Sequence, residues 1–160
     1  MTPISMQLII LDFEASSLSD GSYPISVGVI VNGEARYWLI KPRTGWIDWS
    51  LESQAIHGIK RSSLLEHGID VSVVYYELKT LLGGAPVIYS DNPYWESRWL
   101  RCLGKFDCEV RHIHELLPAS AQLSWAVCLD HQFKLQRLTR HRADHDAYAI
   151  HLALAAMLGN

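Results

Sequence analysis

Residues 8–14 constrain the fold most strongly, because four consecutive apolar residues run directly into Asp12, Phe13 and Glu14. A run of this length and branching predicts a strand that is buried on both faces. Alternate side chains of a strand share one face, so Asp12 and Glu14 are expected to point the same way. Two adjacent carboxylates at the end of a buried strand repel each other, and divalent cations offset that repulsion. A lone Asp-x-Glu also occurs as a pair of solvated acids.

Composition is typical of one globular domain, which we predict over residues 1–160. The chain is 49% apolar and long enough to bury a core. A net charge of −3 argues against an extended groove that binds duplex nucleic acid. It does not argue against a small site that binds one end of a nucleic-acid strand. No apolar run approaches the roughly 20 residues of a membrane span, and we expect no signal peptide. An odd number of cysteines without metal spacing predicts reduced thiols in a cytoplasmic protein (Cys102, Cys108 and Cys128).

Turn signals and hydrophobic periodicity divide the chain into a meander followed by alternating strands and helices. Asn32-Gly33 between two apolar runs predicts a hairpin, so the first three strands are expected to be antiparallel. Asp91 is the predicted N-cap of a helix with Pro93 in its first turn. We predict an α/β fold with one mixed sheet flanked by helices. The predicted lead-in covers 1–7, the strands 8–13, 24–31, 34–40, 86–90 and 109–113, and the helices 50–56, 62–66, 71–82, 92–103, 124–133 and 144–158.

Acids and histidines recur near the ends of these predicted elements. Residues 12–18 read Asp-Phe-Glu-Ala-Ser-Ser-Leu, residues 94–100 read Tyr-Trp-Glu-Ser-Arg-Trp-Leu, and residues 141–147 read His-Arg-Ala-Asp-His-Asp-Ala. With residues 24–28 and 56–59, these segments resemble, in the same order, the motifs of DEDD-type 3′→5′ exonucleases of the histidine subgroup. That family includes oligoribonuclease, ribonuclease T and proofreading domains of polymerases. The resemblance implies a ribonuclease H-like fold, with an antiparallel three-stranded meander plus parallel strands.

The resemblance also implies a metal-dependent site. Asp12, Glu14, Glu96 and Asp146 would hold two divalent metal ions, Mg²⁺ or Mn²⁺. Two such ions about 3.5–4 Å apart serve both the attacking and the leaving oxygen of a phosphodiester. Histidine side chains can exchange protons near neutral pH, and His141 would be the general base. Most of the eight histidines are expected to be ordinary polar residues, and the spacing to Asp146 singles out His141.

The third acid of the family's motif is an aspartate, and this chain departs from it. The best register places Glu96 there, whereas Asp91 lies five residues earlier. Glutamate is one methylene longer and still reaches a metal if its helix sits slightly further back. We favour Glu96 as the ligand and Asp91 as the helix cap, because aspartate is a preferred cap. Asp91 remains the alternate third acid.

Leu18, Ile56 and His57 are the candidate substrate-binding residues. Leu18 and Ile56 would stack on the terminal base, which contributes about 1–3 kcal/mol per base, and His57 would touch the sugar or phosphate. Burial of Leu18 and Ile56 in the core is an equally good interpretation. We interpret four tryptophans as core or loop packing (Trp46, Trp49, Trp95 and Trp99). Three arginines form a basic stretch that is either solvated or near substrate phosphates (Arg137, Arg140 and Arg142).

The leading hypothesis is a 3′→5′ exonuclease that acts on the 3′ end of single-stranded RNA or DNA and releases nucleoside 5′-monophosphates. A second hypothesis is a catalytically weakened nucleic-acid- or protein-binding module on the same fold, because fold does not imply function. A third is a proofreading or processing subunit of a larger assembly that is active only with a partner. A homodimer or a larger assembly is compatible with the sequence, which does not give the oligomeric state. A contact to the 2′-hydroxyl would decide between RNA and DNA, and the sequence does not locate one.

Overall fold

A computed structural model describes residues 7–159. Nearly all of the predicted lead-in, residues 1–6, lies outside this range. Within it, the chain forms one five-stranded sheet, and the predicted strands agree with the observed ones to within one or two residues. The strands are β1 (Ile9–Ala15), β2 (Pro24–Val31), β3 (Glu34–Leu39), β4 (Val87–Ser90) and β5 (Glu109–His112).

The sheet is mixed, as predicted. Its strand order is β3-β2-β1-β4-β5, in which β1, β2 and β3 pair antiparallel while β4 lies parallel to both β1 and β5. Asn32 and Gly33 form the turn between β2 and β3, and both have positive φ angles, as a tight hairpin turn requires. In the β1–β2 pair, Asp12 lies opposite Gly28 and Glu14 lies opposite Ser26. The α/β fold class is therefore confirmed.

The helices occur at the predicted positions, together with a short 3₁₀ helix and a four-residue helix that the sequence analysis did not predict. One cap prediction was wrong: Asn92, not Asp91, occupies the N-cap position before Pro93, and it forms no side-chain cap hydrogen bond. No helix within residues 7–159 has the length and apolar character needed to cross a bilayer. The helices are α1 (Leu51–His57), α2 (Arg61–His67), α3 (Val71–Leu82), α4 (Pro93–Leu103), the 3₁₀ helix (Ile113–Leu116), α5 (Ala119–Gln122), α6 (Trp125–Leu135) and α7 (Ala143–Leu158).

Strand β1 separates two hydrophobic cores. Ile9 and Phe13 pack toward α3 and α4, whereas Ile10 packs toward α6 and α7. Burying a side chain of this size contributes about 1.5–3 kcal/mol, so the two cores hold β1 firmly at the centre of the sheet. The alternation continues through Asp12 and Glu14, which therefore share the α7 side. This is the arrangement that the period of two predicted.

Helix α7 lies unusually close to the sheet at Gly28. A Cβ atom on Gly28 would overlap the backbone of Ala143 and Asp144 at the start of α7. A glycine at this position therefore lets the helix backbone rest directly on β2. Because Gly28 lies opposite Asp12 in the register, the first turn of α7 is brought to the end of β1.

Candidate active site

Five carboxylates converge at one edge of the sheet. Asp12 and Glu14 stand near the end of β1, Asp91 follows β4, Glu96 lies in the first turn of α4, and Asp146 lies in the first turn of α7. They line one cleft of about 350 Å³. Because β1 and β4 are parallel, their carboxyl ends meet at the same edge, which is where α/β sheets form their binding crevices.

Three of the acids form an inner group. Asp12, Asp91 and Glu96 each offer a carboxylate oxygen, and these oxygens lie within 4.8 Å of one another. Asp12 is 6% exposed and Glu96 is 3% exposed, and Asp12 Oδ2 and Glu96 Oε2 are buried without a hydrogen-bond partner. A buried, unpaired carboxylate oxygen is costly unless a cation occupies the space in front of it. This oxygen-only donor set fits a hard divalent cation.

The structure brings both candidates for the third acid to Asp12. Glu96 reaches the inner group from α4, and its extra methylene does not remove it from the cleft. Asp91 belongs to the same inner group, and since Asn92 occupies the cap position, its carboxylate is not needed to begin the helix. Glu96 and Asp91 are thus neighbours in one group of acids.

The second group contains Glu14, His141 and Asp146, whose ligand atoms also lie within 4.8 Å of one another. Both carboxylate oxygens of Asp146 accept the backbone N–H of His141, at 3.0 and 3.2 Å. His141 has a φ of 58°, a left-handed conformation that is uncommon for a residue other than glycine. The hydrogen bond to Asp146 stabilises this turn, and the exposed imidazole of His141 lies at the rim of the cleft. The pairing register of β1 with β2 shifts between Glu14 and Ala15. A β-bulge of this kind changes the direction in which a neighbouring side chain points.

Burial and mutual repulsion shift the titration of these acids. Burial raises the pKa of Glu14 to about 8, and the nearby charge of Asp146 adds to this effect. Burial likewise raises the pKa of Asp146 to about 7, although the N–H of His141 opposes the shift. For Asp12 and Glu96, burial raises the pKa well above its usual range, and neighbouring carboxylates raise it further. Glu14 therefore retains its proton at neutral pH unless a cation replaces it.

A smaller pocket of about 200 Å³ adjoins the cleft. It brings together all three candidate substrate-binding residues, Leu18, Ile56 and His57, with Trp99 and His141. Leu18 is 68% exposed and Ile56 is 60% exposed, so the alternative of core burial is wrong for both. Trp99 is buried, as its helical spacing predicted, but it also forms part of the pocket wall.

His57 has a defined tautomer. Its Nδ1 accepts the backbone N–H of Ile59 at 3.0 Å, so Nδ1 carries no proton and the proton resides on Nε2. Nε2 is buried without a hydrogen-bond partner. Burial lowers the pKa of His57, and the nearby His141 lowers it further, so the ring is neutral at pH 7. His57 thus supplies a single unused N–H donor beside the pocket.

Sequence reasoning did not single out three apolar residues that line the cleft beside the acids, namely Leu129, Phe133 and Ile150. Among the three arginines of the basic stretch, Arg140 lies at the cleft, with its guanidinium 4.2 Å from the ring centroid of Phe133. Arg142 instead pairs with Asp144 and lies over the ring of Tyr37. No local signal distinguishes these arginines, because their directions depend on how the loop before α7 turns.

A larger groove, about 460 Å³, lies between β3 and α3. Its single acid, Glu77, accepts a hydrogen bond from Trp38 Nε1 at 2.6 Å and is therefore already paired. The groove lacks the convergent acids and histidines of the cleft, so the cleft is the better candidate for chemistry.

Comparison of the sequence with protein-family models and with curated proteins finds no match. Comparison with solved structures finds several chains of similar fold. E. coli exonuclease I in complex with a dA16 oligonucleotide has a TM-score of 0.67 at 15% identity, over 93% of this chain and 40% of that one. A moderately thermophilic exonuclease I from Methylocaldum szegediense has a TM-score of 0.66 at 14% identity, over 93% and 40%. The zinc-bound form of the E. coli enzyme with single-stranded DNA has a TM-score of 0.62 at 15% identity, over 94% and 39%.

The chain spans about 40% of the length of the exonuclease I chains that it matches. The likeness covers 93% of the present chain. At this level of identity it establishes the architecture, and it confirms the fold that the resemblance of the sequence motifs implied. The protein has the ribonuclease H-like fold that is found in exonuclease I.

Proposed function

We propose that this protein is a metal-dependent 3′→5′ exonuclease that hydrolyses the terminal phosphodiester bond of single-stranded nucleic acid and releases nucleoside 5′-monophosphates. The observation that carries the proposal is the convergence of five carboxylates, two of them with buried unpaired oxygens, beside a pocket of about 200 Å³. The fold shared with exonuclease I supports the same reaction class.

The two groups of ligand atoms provide two neighbouring positions for divalent cations. Asp12 and Glu96, assisted by Asp91, would hold one ion, and Glu14 and Asp146 would hold the other. Mg²⁺ suits such oxygen ligands, and Mn²⁺ is a ready substitute. Bound there, the cations supply positive charge that offsets the negative charge developing on the phosphodiester oxygens. The chain's own contribution is to hold the carboxylates in place against their repulsion.

His141 is the proposed general base. It is exposed at the rim of the cleft, and its turn is fixed by the hydrogen bond from its N–H to Asp146. From this position its imidazole can take a proton from a water molecule that approaches the scissile phosphate. A histidine suits this role because it exchanges protons near neutral pH.

The smaller pocket is the proposed site for the terminal nucleoside. Leu18 and Ile56 provide exposed apolar contacts for a base, and Trp99 provides part of the wall. His57 also lines this pocket and is the proposed contact to the sugar or phosphate of the terminal nucleotide. Stacking of this kind tolerates any base, so we expect weak sequence preference.

A time course on end-labelled substrates tests the proposal. Single-stranded RNA and DNA of one sequence, labelled at the 5′ end, are incubated with Mg²⁺, with Mn²⁺ or with chelator. We expect products that shorten from the 3′ end in the presence of metal only. Asp12→Asn should abolish this activity. Asp107→Asn removes the same charge from an exposed residue near the start of β5, the opposite end of the sheet from the cleft, and should retain it.

Absence of cleavage of both substrates with either metal, with folded protein, would contradict the exonuclease proposal. Binding of the oligonucleotides without cleavage would then favour the binding module. Equal activity of Asp12→Asn and wild type would show that any cleavage comes from elsewhere. The ratio of the rates on RNA and DNA gives the sugar preference directly.

A further inference from the structure

Asp48 is a carboxylate outside the acid cleft that is held by three serine hydroxyls. Its Oδ2 accepts hydrogen bonds from Ser16 Oγ at 2.8 Å and Ser17 Oγ at 2.6 Å, and its Oδ1 accepts one from Ser19 Oγ at 2.9 Å. We call Asp48 and these three serines the serine bracket. Hydrogen bonds to an ionised acceptor are the stronger kind, so the bracket is a firm local structure.

The carboxylate of Asp48 is kept ionised by these hydroxyl groups. Burial raises its pKa, but the hydroxyls of Ser17, Ser16 and Ser19 together bring the pKa below its ordinary value. Among residues 7–159, no lysine, arginine or histidine forms an ion pair with Asp48. Asp48 is therefore held by the three serine hydroxyls and not by a basic side chain.

The serine bracket joins two segments that are about 30 residues apart in sequence. The first is the loop that follows β1, and the second is the loop that leads into α1. The backbone N–H of Ser50, the N-cap of α1, also donates to the carbonyl of Ser16 at 3.0 Å. Within the first loop, Ser17 Oγ accepts the N–H of Ser19 at 3.0 Å. The two loops are thus tied to each other by hydrogen bonds.

These two segments carry residues that line the smaller pocket. The first loop carries Leu18, and α1 carries Ile56 and His57. Leu18 and Ile56 are mostly exposed and α1 contains no buried residue, whereas Ser16 and Ser17 of the first loop are buried. The hydrogen bonds that Ser16 and Ser17 make to Asp48, and that Ser50 makes to Ser16, therefore connect the exposed α1 side of the pocket to the buried start of the first loop.

We propose that Asp48 is a positioning residue that sets the width of the nucleoside pocket by fixing Leu18 relative to α1. This inference rests on the proposed function, since it assigns the pocket to the terminal nucleoside. Asp48 touches neither the acids of the cleft nor the reacting atoms. Its loss should weaken substrate binding and leave metal binding unchanged.

The test compares Asp48→Ala and Asp48→Asn with Asp70→Ala. Asp70 is the matched control, because its carboxylate also accepts a serine hydroxyl, that of Ser72, but it caps α3 away from the pocket. Asp48→Ala should raise KM for a single-stranded oligonucleotide about tenfold and change kcat less than about twofold. Asp48→Asn retains one accepting oxygen and should show a smaller rise. Mn²⁺ affinity should equal that of wild type in all three variants.

Hydrogen exchange provides a readout that does not require activity. Asp48→Ala should accelerate exchange of the Ser19 and Ser50 amides, and binding of a fluorescein-labelled single-stranded oligonucleotide in Ca²⁺ should weaken in parallel. An unchanged KM, or an equal rise in Asp70→Ala, would overturn the inference. If wild type cleaves nothing, the exonuclease proposal fails, whereas amide exchange and oligonucleotide affinity still decide the role of Asp48.

Discussion

Glu96 lies beside Asp12 and Asp91, although its side chain is one methylene longer than the aspartate that the resemblance of the motifs implies. It lies in the first turn of α4, where the helix dipole favours a negative charge, and its carboxylate reaches the same inner group as Asp12. Asp91 approaches from the loop before the helix and is the more exposed of the two. A buried ligand loses more hydration on folding than an exposed one, so we expect the cation to depend more on Glu96.

Calorimetric titration with Mn²⁺ separates the two acids. Glu96→Gln should lower the affinity at least about tenfold, equivalent to about 1.4 kcal/mol, because it removes a charged ligand from the buried side. Asp91→Asn should lower it about threefold, or about 0.7 kcal/mol. Asp107→Asn serves as the control for loss of charge alone. Full affinity in Glu96→Gln together with lost affinity in Asp91→Asn would reverse the assignment.

Among the helices and strands, the position of α7 determines whether His141 and Asp146 lie beside Glu14. The helix backbone rests on Gly28, which brings Asp146 and the turn of His141 to the end of β1. Any side chain in place of Gly28 would collide with the backbone at the start of α7 and displace the helix. The site therefore depends on a residue that bears no functional group.

Gly28→Ala tests this dependence. The added methyl overlaps backbone rather than a flexible side chain, so we expect a loss of stability of at least about 1–3 kcal/mol and a loss of metal-dependent activity. Thermal unfolding measures the first effect. Gly21→Ala is the control, because a Cβ there would have its nearest neighbours at 3.8 Å. A Gly28→Ala variant with the wild-type melting temperature would show that α7 can shift without strain.

The elements themselves could be predicted because their signals are local. The alternation through residues 8–14 located β1 and the face of its acids, Asn32-Gly33 located the hairpin, and Gly83 located the end of α3. The contact of Gly28 with α7 and the bond network of Asp48 were not predicted, since both join residues that are far apart in sequence. Asp91 was assigned to a cap because local preference indicated one, whereas the structure places its carboxylate with the acids.

For the molecule as a whole, the acids connect metal binding, pH and stability. The pKa of Glu14 rises from 4.5 to about 8 on folding, so the folded protein binds this proton more tightly than the unfolded chain. The proton on Glu14 therefore stabilises the folded protein. This contribution to the free energy of unfolding is complete below about pH 4.5 and is lost as the pH rises toward 8. A divalent cation that replaces the proton should restore stability at the upper end of this range.

Thermal unfolding of wild type and Glu14→Gln, in chelator from pH 4.5 to 8.5, measures this effect. The neutral amide does not acquire a charge, so the variant should gain in stability relative to wild type as the pH rises. A gain of about 1 kcal/mol would appear as about 2–4 °C. Saturating Mn²⁺ should reverse the order at pH 8 by stabilising wild type more. A difference between the two proteins that is independent of pH would contradict the prediction.

The distribution of the five carboxylates along the chain has a consequence for folding. Asp12 and Asp146 belong to the first strand and the last helix, so the contacts that close the cleft are among the longest-range contacts of the described region. Such contacts form late, after the local hairpin and helices. A chain synthesised only as far as α6 already carries Asp12, Glu14 and Glu96 but lacks Asp146, so it cannot complete the cation sites. The proposed nuclease activity would therefore require that α7 has docked, and a chain that ends before α7 should be inactive.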